Sequence, residues 1–332
     1  MRIVDVARLA EVSPATVSRV LNGSARVSAA LRRRVESAAS SLGYRPNPHA
    51  RALHSGRSRA VGIAATYVGG FFAELFGGLE GRLAASGYRL LVAGGSGERD
   101  AETDTLIDLH DRGVDGLVVF LEAAADEDLL ALAARGVPMV VLGRSVPGLE
   151  PRSLSWDQRA GGATATRHLL EHGHRRIAHI AGPRDNLHAQ ARREGYADAL
   201  RSHGIPVEPR WIVEGDFLEQ SGRDAMHALL DIGGFTAVFA ANDQMALGAL
   251  TALWERGLSC PEHLSLVGFD DQALARFTAP PLTTVRQPLD ALGRLAADLL
   301  LSDIHRERPA GRTDLPPLRL ISRASVRERG EA

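Results

Sequence analysis

Two hydrophobic rhythms divide this chain. Up to Gly43, apolar residues recur three and four apart: Val4, Val6, Ala7, Leu9 and Ala10, then Val17, Val20 and Leu21. That spacing puts them on single helix faces and predicts a first short helix, a tight turn at Glu11-Val12, and a second helix over about Pro14 to Leu21. Ser13 is positioned to cap the second helix, Pro14 suits its first position, and Gly23 after Asn22 lets the chain turn out. A third helix is predicted from Ser28, its cap, to Leu42, ended by Gly43. Residues 44 to 59, YRPNPHARALHSGRSR, follow as a linker, because Pro46 and Pro48 cannot continue a helix and the Ala-Arg-Ala-Leu run is too short to hold one alone.

From Ala60 the rhythm changes. AVGIAAT, YRLLVAG, DGLVVFL and PMVVLG are short apolar runs edged by Gly or Pro, separated by helical stretches at 71 to 86, 100 to 112 and 126 to 135. Runs apolar on both faces predict a buried parallel sheet. A second set repeats the alternation: RRIAHIAG, helix 188 to 203, a strand near Trp211, helix 219 to 231, TAVFAA, helix 242 to 256 and LSLVGFD. LTTVRQP, a helix at 288 to 304 and terminal strands over 316 to 327 close the chain. The fold class is therefore a small all-α head followed by an α/β body of two lobes, each a parallel sheet with helices on both faces. The boundaries expected are 1–46 for the head, 47–59 for the linker and 60–332 for the body. Lobe 1 would hold about 60–156 plus 287–315, and lobe 2 about 157–286 plus 316–332.

Composition narrows the function. With 45% hydrophobic and 24% charged residues in 332, the chain is an ordinary globular protein, and no apolar run approaches the length of a membrane span. Charges at Asp5, Arg8 and Glu11 argue against a signal peptide, so a cytoplasmic address is expected. The single cysteine, Cys260, excludes an internal disulfide or a cysteine-rich zinc site. The net charge of −1 hides an asymmetry: up to residue 59, eleven arginines face only Asp5, Glu11 and Glu36, a balance of +8 that leaves −9 for the rest. A basic head on an acidic body is the footprint of a polyanion-binding module.

The motif DVARLAEVSPATVSRVLNG, then VS, then LGYRPNPHARAL, resembles the helix-turn-helix of the lactose/galactose repressor (LacI/GalR) family. The resemblance implies a homodimer on a pseudo-palindromic operator, with a periplasmic-binding-protein-like body that takes a small effector. By motif position, Pro14, Ala15 and Arg19 would meet base edges, while Ser13, Thr16, Ser18, Asn22 and Ser28 would hold phosphates. Arg19 is the strongest of these, because a guanidinium can bond guanine O6 and N7 with two prongs. The linker would be a hinge helix in the minor groove, with Leu53 as the wedge and Asn47 and Ala50 on the contacting side. Arg2 stands where many members have a capping Thr, which puts that cap in doubt. No heptad run follows Leu320, so no tetramerising tail is expected.

In the body, the resemblance places Arg192, Asn242, Gln244 and Asp270 at an interlobe cleft, with Phe71, Phe72 and Phe217 as apolar walls. Asn242 could equally be a helix cap. Arg192 offers a fork of donors, ionised Asp270 only acceptors, and Asn242 both, a set that satisfies adjacent sugar hydroxyls. A purine stacked between rings is the alternative. Other stretches have blander readings. VAGGSGERD lacks the third glycine of a dinucleotide loop. His168, His172 and His174 in HLLEHGH have metal-like spacing, but fit a helix ending at Gly173 and carry no expected metal. No nucleophile elbow or catalytic cysteine signature occurs, so neither catalysis nor a cofactor is expected. Two rivals remain: a solute-binding or sugar-modifying protein, disfavoured by the basic head, and an architectural DNA binder with a featureless cleft.

Overall fold

The computed structural model describes residues 1–21, 27–44, 57–66, 70–95, 97–307 and 315–329. The head contains α1 (Ile3–Leu9), α2 (Pro14–Leu21) and α3 (Ala29–Ser41). Val6, Ala7, Ala10, Val17, Val20, Val35, Ala38 and Ala39 form its core, whereas Val4 and Leu9 face outward. Ser13 and Ser28 act as the expected caps: their hydroxyls accept from the Thr16 N–H at 3.2 Å and the Leu31 N–H at 3.3 Å. Arg2 supplies no such side-chain cap to α1. Instead the Asp5 carboxylate reaches back to accept from the Arg2 N–H at 2.8 Å, and that bond lowers its pKa.

The body contains two sheets. Its first sheet contains β1 (Ala60–Ala65), β2 (Arg89–Gly94), β3 (Gly116–Phe120), β4 (Met139–Leu142) and β5 (Ser153–Leu154), in the order β2-β1-β3-β4-β5. Between them lie α4 (Ala73–Ala85), α5 (Arg99–Asp111) and α6 (Asp126–Ala134). After β5 come α7 (Gln158–Glu171), β6 (Ile177–Ala181), α8 (Leu187–Ser202), β7 (Ile212–Glu214) and α9 (Glu219–Ile232). The chain continues through β8 (Ala237–Ala240), α10 (Asp243–Glu255), β9 (Ser265–Asp270), β10 (Thr283–Arg286), α11 (Leu289–His305) and β11 (Arg319–Ile321). The second sheet runs β11-β10-β9-β8-β6-β7, with only β11 antiparallel to its neighbour.

Helix α11 joins the first lobe's core beside α4, so the chain passes between lobes after β5, after β10 and again between α11 and β11. Three helix pairs, α4 with α11, α7 with α8, and α9 with α10, pack through a glycine from each partner. A β-carbon at Gly78, Gly293, Gly162, Gly195, Gly222 or Gly248 would overlap backbone of the facing helix. Such backbones cannot retreat as a side-chain tip can. Gly195→Val should therefore cost at least about 1–3 kcal/mol and lower the melting temperature, read by calorimetry; an unchanged midpoint would refute this packing.

Two expectations are corrected. YRLLVAG is not a buried strand: β2 lies at the sheet edge, with Leu91 at 40% and Val92 at 47% exposure. The stretch 316 to 327 pairs as a strand only at 319–321. Beyond it the chain is held by individual bonds, among them Ser325 O accepting from the Leu266 N–H at 2.8 Å and Ser325 Oγ accepting from the Thr283 N–H at 2.8 Å. Isolated backbone bonds and side-chain anchors replace the ladder there.

Candidate functional sites: a polar helix face and a buried arginine–aspartate pair

In the head, burying Val17 and Val20 turns the opposite face of α2 outward. Ser13, Pro14, Ala15 and Arg19 are exposed, Thr16 and Ser18 half-buried, and Ser28 exposed at the start of α3. The Ser13 and Thr16 hydroxyls lie 2.9 Å apart. The result is a surface of small groups and hydroxyls with one long cation, which can approach a polyanion closely. Asn22, Asn47, Ala50 and Leu53 lie outside the described residues.

In the body, Asn186 caps α8, its Oδ1 accepting from the Ala189 N–H at 2.9 Å. The glycine contact at Gly162 brings the backbone of Arg192 against α7. Arg192 is 5% exposed and its guanidinium carbon stacks 3.9 Å from the Phe269 ring centre, with the Phe217 ring 5.9 Å away. Its Nε donates to Gln158 Oε1 at 3.0 Å and its Nη1 to the Ala241 carbonyl at 2.6 Å, while Nη2 stands 3.7 Å from Asp270 Oδ1. Burial lowers the arginine's pKa, opposed by Asp270, Asp243 and Glu122.

Asp270 ends β9 at the carboxyl edge of a parallel sheet, where open α/β sheets bind ligands. Its φ of 110° is costly for a residue with a side chain, the kind of strain that survives only when the surroundings impose it. They do so here: the next residue, Asp271, is pinned by Arg323 Nη2 at 2.5 Å, and its N–H donates to Thr284 Oγ1 at 3.3 Å. Burial pushes Asp270 up to about 6, opposed by Arg192, Gln287 and Gln272. Asp243, 1% exposed, accepts from Thr284 Oγ1 at 2.6 Å and the Gln272 N–H at 2.7 Å. Burial first, and Asp270 beside it, raise its pKa well above the ordinary range.

The remaining residues separate. Phe217 holds a φ of 70°, its carbonyl accepts from Asn242 Nδ2 at 2.9 Å, and its ring packs where a side chain on Gly182 would stand. Asn242 Oδ1 accepts from the Met245 N–H at 2.9 Å, so the amide caps α10 and braces Phe217 with its two ends. Gln244 donates to Glu219 Oε1 on α9 at 3.1 Å instead of joining the pair. Phe72 is buried among Phe71, Phe76 and Phe120, so it belongs to the first lobe's core, with Phe71 half-buried at its edge.

Sequence reasoning missed Gln158, Gln287, Phe269 and Asp243, all buried around the pair, and the contacts between lobes. There Glu122 accepts from Asn186 Nδ2, and the Phe120 ring meets His188 edge-on at 6.4 Å. His188, pushed down to about 4 by burial first and Arg192 second, is a neutral ring at ordinary pH. Nothing in the spacing of these residues marks them in advance.

Among the described residues no cluster of His, Cys, Asp or Glu could hold a metal. His174 Nδ1 lies 3.0 Å from Thr236 Oγ1, and His172 Nδ1 lies 2.8 Å from the His168 carbonyl. Cys260 is buried, its thiol pushed up to about 12 by burial. No described helix is long and apolar enough to cross a membrane.

Residues 2–47 match the bacterial regulatory proteins of the lacI family, and residues 166–326 match a periplasmic binding protein-like domain. The transcriptional regulator GalR of Escherichia coli K12 is 39% identical over 302 residues, spanning 90% of this chain and 88% of GalR. This chain belongs to the lacI family. Two solved structures extend the match over whole chains. The lac repressor dimer bound to operator and the anti-inducer ONPF superposes with a TM-score of 0.87 at 31% identity, covering 98% of this chain and 99% of that one. A CelR–cellobiose complex superposes at 0.70 with 35% identity, covering 98% and 99%. As a lacI-family member, this protein is a DNA-binding transcriptional regulator with an effector-binding body. The family's members are regulators, not enzymes.

Proposed function

We propose that this protein is a cytoplasmic, dimeric repressor whose effector is a sugar or sugar-like polyol held by Arg192 and Asp270 against Phe217. The observation that carries this reading is the spare bonding capacity of the buried pair. Arg192 Nη2 stands beyond hydrogen-bond reach of Asp270 at 3.7 Å, and Asp270 Oδ2 has only a long contact, 3.5 Å from Gln272 Nε2. A donor nitrogen, Arg192 Nη2, and an acceptor oxygen, Asp270 Oδ2, left open side by side suit vicinal hydroxyls, each of which donates and accepts. Neighbouring aromatic rings suit the apolar face of a pyranose. That CelR binds cellobiose in the same fold supports a sugar over a purine. Exposed Trp254, Leu274 and Phe277 offer apolar surface to a second copy; the lac repressor that this chain resembles is itself a dimer.

Calorimetric titration with D-galactose, D-ribose, cellobiose and adenine tests the effector: heat from a sugar is expected, and heat from adenine alone would overturn the assignment. Acidity gives a second check. Because burial pushes Asp270 up to about 6, its ionised acceptor predominates above that pH and is lost as pH falls through it. In the sugar-free protein the sign is opposite, since a raised carboxyl pKa favours the folded state in acid. The rise in melting temperature produced by sugar should therefore shrink between pH 7 and pH 5; a constant rise would exclude Asp270 as the acceptor. In the linker, Leu53 is proposed as a minor-groove wedge, so Leu53→Ala should reduce operator bending in a circular-permutation gel shift while leaving the melting temperature unchanged.

A further inference from the structure

The residues that join the arginine–aspartate pair to the rest of the body form a directional ring of three hydrogen bonds, its fourth side the open face between Arg192 and Asp270. Arg192 Nε donates to Gln158 Oε1 at 3.0 Å, Gln158 Nε2 to Gln287 Oε1 at 2.9 Å, and Gln287 Nε2 to Asp270 Oδ1 at 2.7 Å, while Asp270 faces Arg192 at 3.7 Å. All four side chains are buried, with 3–8% exposure. The direction is forced. A guanidinium can only donate and a carboxylate only accept, so both intervening amides have a single orientation that bonds at each end.

The two glutamines also hold particular places in the chain. Gln158 opens α7 directly after the passage from β5, and Gln287 follows β10 directly before α11 returns to the first lobe. They therefore sit on two of the segments that join the lobes. A second tie links such segments: Trp156 Nε1 donates to the Pro316 carbonyl at 2.8 Å. That tie lies in the passage after β5 and in the one between α11 and β11, and it touches neither member of the pair.

We propose that Gln158 and Gln287 are positioning residues that transmit occupancy of the Arg192–Asp270 pair to the segments on which the lobes turn. The inference rests on the effector reading above. A ligand that bonds Arg192 Nη2 and Asp270 Oδ2 must set the separation of the two groups. Buried hydrogen bonds have no water to exchange with, so a change in that separation either drags both amides along or leaves a buried polar atom bare. The amides carry the displacement into residues 158 and 287, hence into both passages together. Either glutamine is required, because each supplies a donor and an acceptor in series.

The test uses hydrogen exchange by mass spectrometry on the full-length, sugar-free protein, with Gln287→Met, Gln158→Met and the control Trp156→Phe. Met keeps the length of Gln without its bonds. Gln287→Met should speed exchange at the start of α7 as well as in its own segment, and Gln158→Met should do the converse, by about five- to a hundredfold for the loss of a buried hydrogen bond. Trp156→Phe should leave residues 268–273 and 286–289 at native rates. Where a Met variant fails to fold, Gln158→Glu keeps the acceptor for Arg192 and loses only the donor to Gln287; it should give the same remote effect. Acceleration confined to the substituted segment, or equal acceleration from Trp156→Phe, overturns the ring.

A second arm titrates D-galactose, D-ribose and cellobiose. The Met variants should bind the same sugar as the native protein within about tenfold, yet show no sugar-dependent change in operator affinity. A full operator response overturns the proposal. If the native protein binds none of the three, the sugar reading fails while the exchange result still decides the ring.

Discussion

Raising salt from 50 to 200 mM is expected to weaken operator binding by about 10³- to 10⁵-fold, the loss characteristic of proteins that make several phosphate contacts. The charge asymmetry is the reason. Eleven arginines before residue 60 against three acids make the head strongly cationic, while the remainder of the chain is acidic and gains nothing from a polyanion. Arg8, Arg19, Arg33 and Arg34 are exposed on the described head, where a polyanion can reach them. Against that non-specific background, Arg19→Ala should cost a further 1–3 kcal/mol or so, and relax preference at one base pair per half-site, because a long cation on a face of small groups is the member able to reach a base edge. Fluorescence anisotropy over a salt series, on native and substituted operators, measures both. A shallow slope, or an Arg19→Ala loss equal on random DNA, would show that the helix face holds only backbone.

Loss of the effector response without loss of operator binding is the result expected for Asp270→Asn. The substitution preserves shape, and its side-chain oxygen can still accept from Gln287, so the ring geometry has a route to survive. The carboxylate facing Arg192 is gone, however, and a sugar hydroxyl would meet an amide in place of an ionised acceptor. Charge-assisted bonds are about twice as strong as neutral ones, so the sugar should lose about 1–3 kcal/mol of affinity, enough to abolish a response at the native working concentration. Asp270→Ala should do more. It strands the Gln287 donor and a buried guanidinium, and removing one partner of a buried pair costs about 3–5 kcal/mol, so the body's melting temperature should fall as well. Comparing the two separates effector chemistry from support of the fold. An unaltered sugar titration in Asp270→Asn would remove Asp270 from the site.

The sequence by itself determined the parts that depend on local rules. The spacing of Val17, Val20 and Leu21, with Ser13 and Pro14 ahead of them, specifies a capped helix with one apolar stripe, and that stripe alone decides which residues face outward. The α/β alternation of the body was legible for a similar reason. Strands buried between two helix layers must be apolar on both faces, and the predicted helices fall within about two residues of α4 to α11 wherever both exist. Even Arg2, the departure from the family's cap, is explained locally by Asp5 reaching back three residues.

Tertiary structure decided everything that joins residues distant in the chain. YRLLVAG reads like its neighbours, but its place at the sheet edge depends on strand order, which hydrophobicity does not encode. Asn242 is a cap in any sequence reading. That its other end braces Phe217 requires α10 and the start of α9 to meet across Gly248 and Gly222. Phe72 and Phe217 are equivalent as letters, yet one fills a core and the other stands by a buried arginine. Gln158 and Gln287 are separated by 129 positions and carry no motif. They become partners only because the chain passes between its lobes at both points, and because an obligate donor and an obligate acceptor at either end leave the two amides one way to bond.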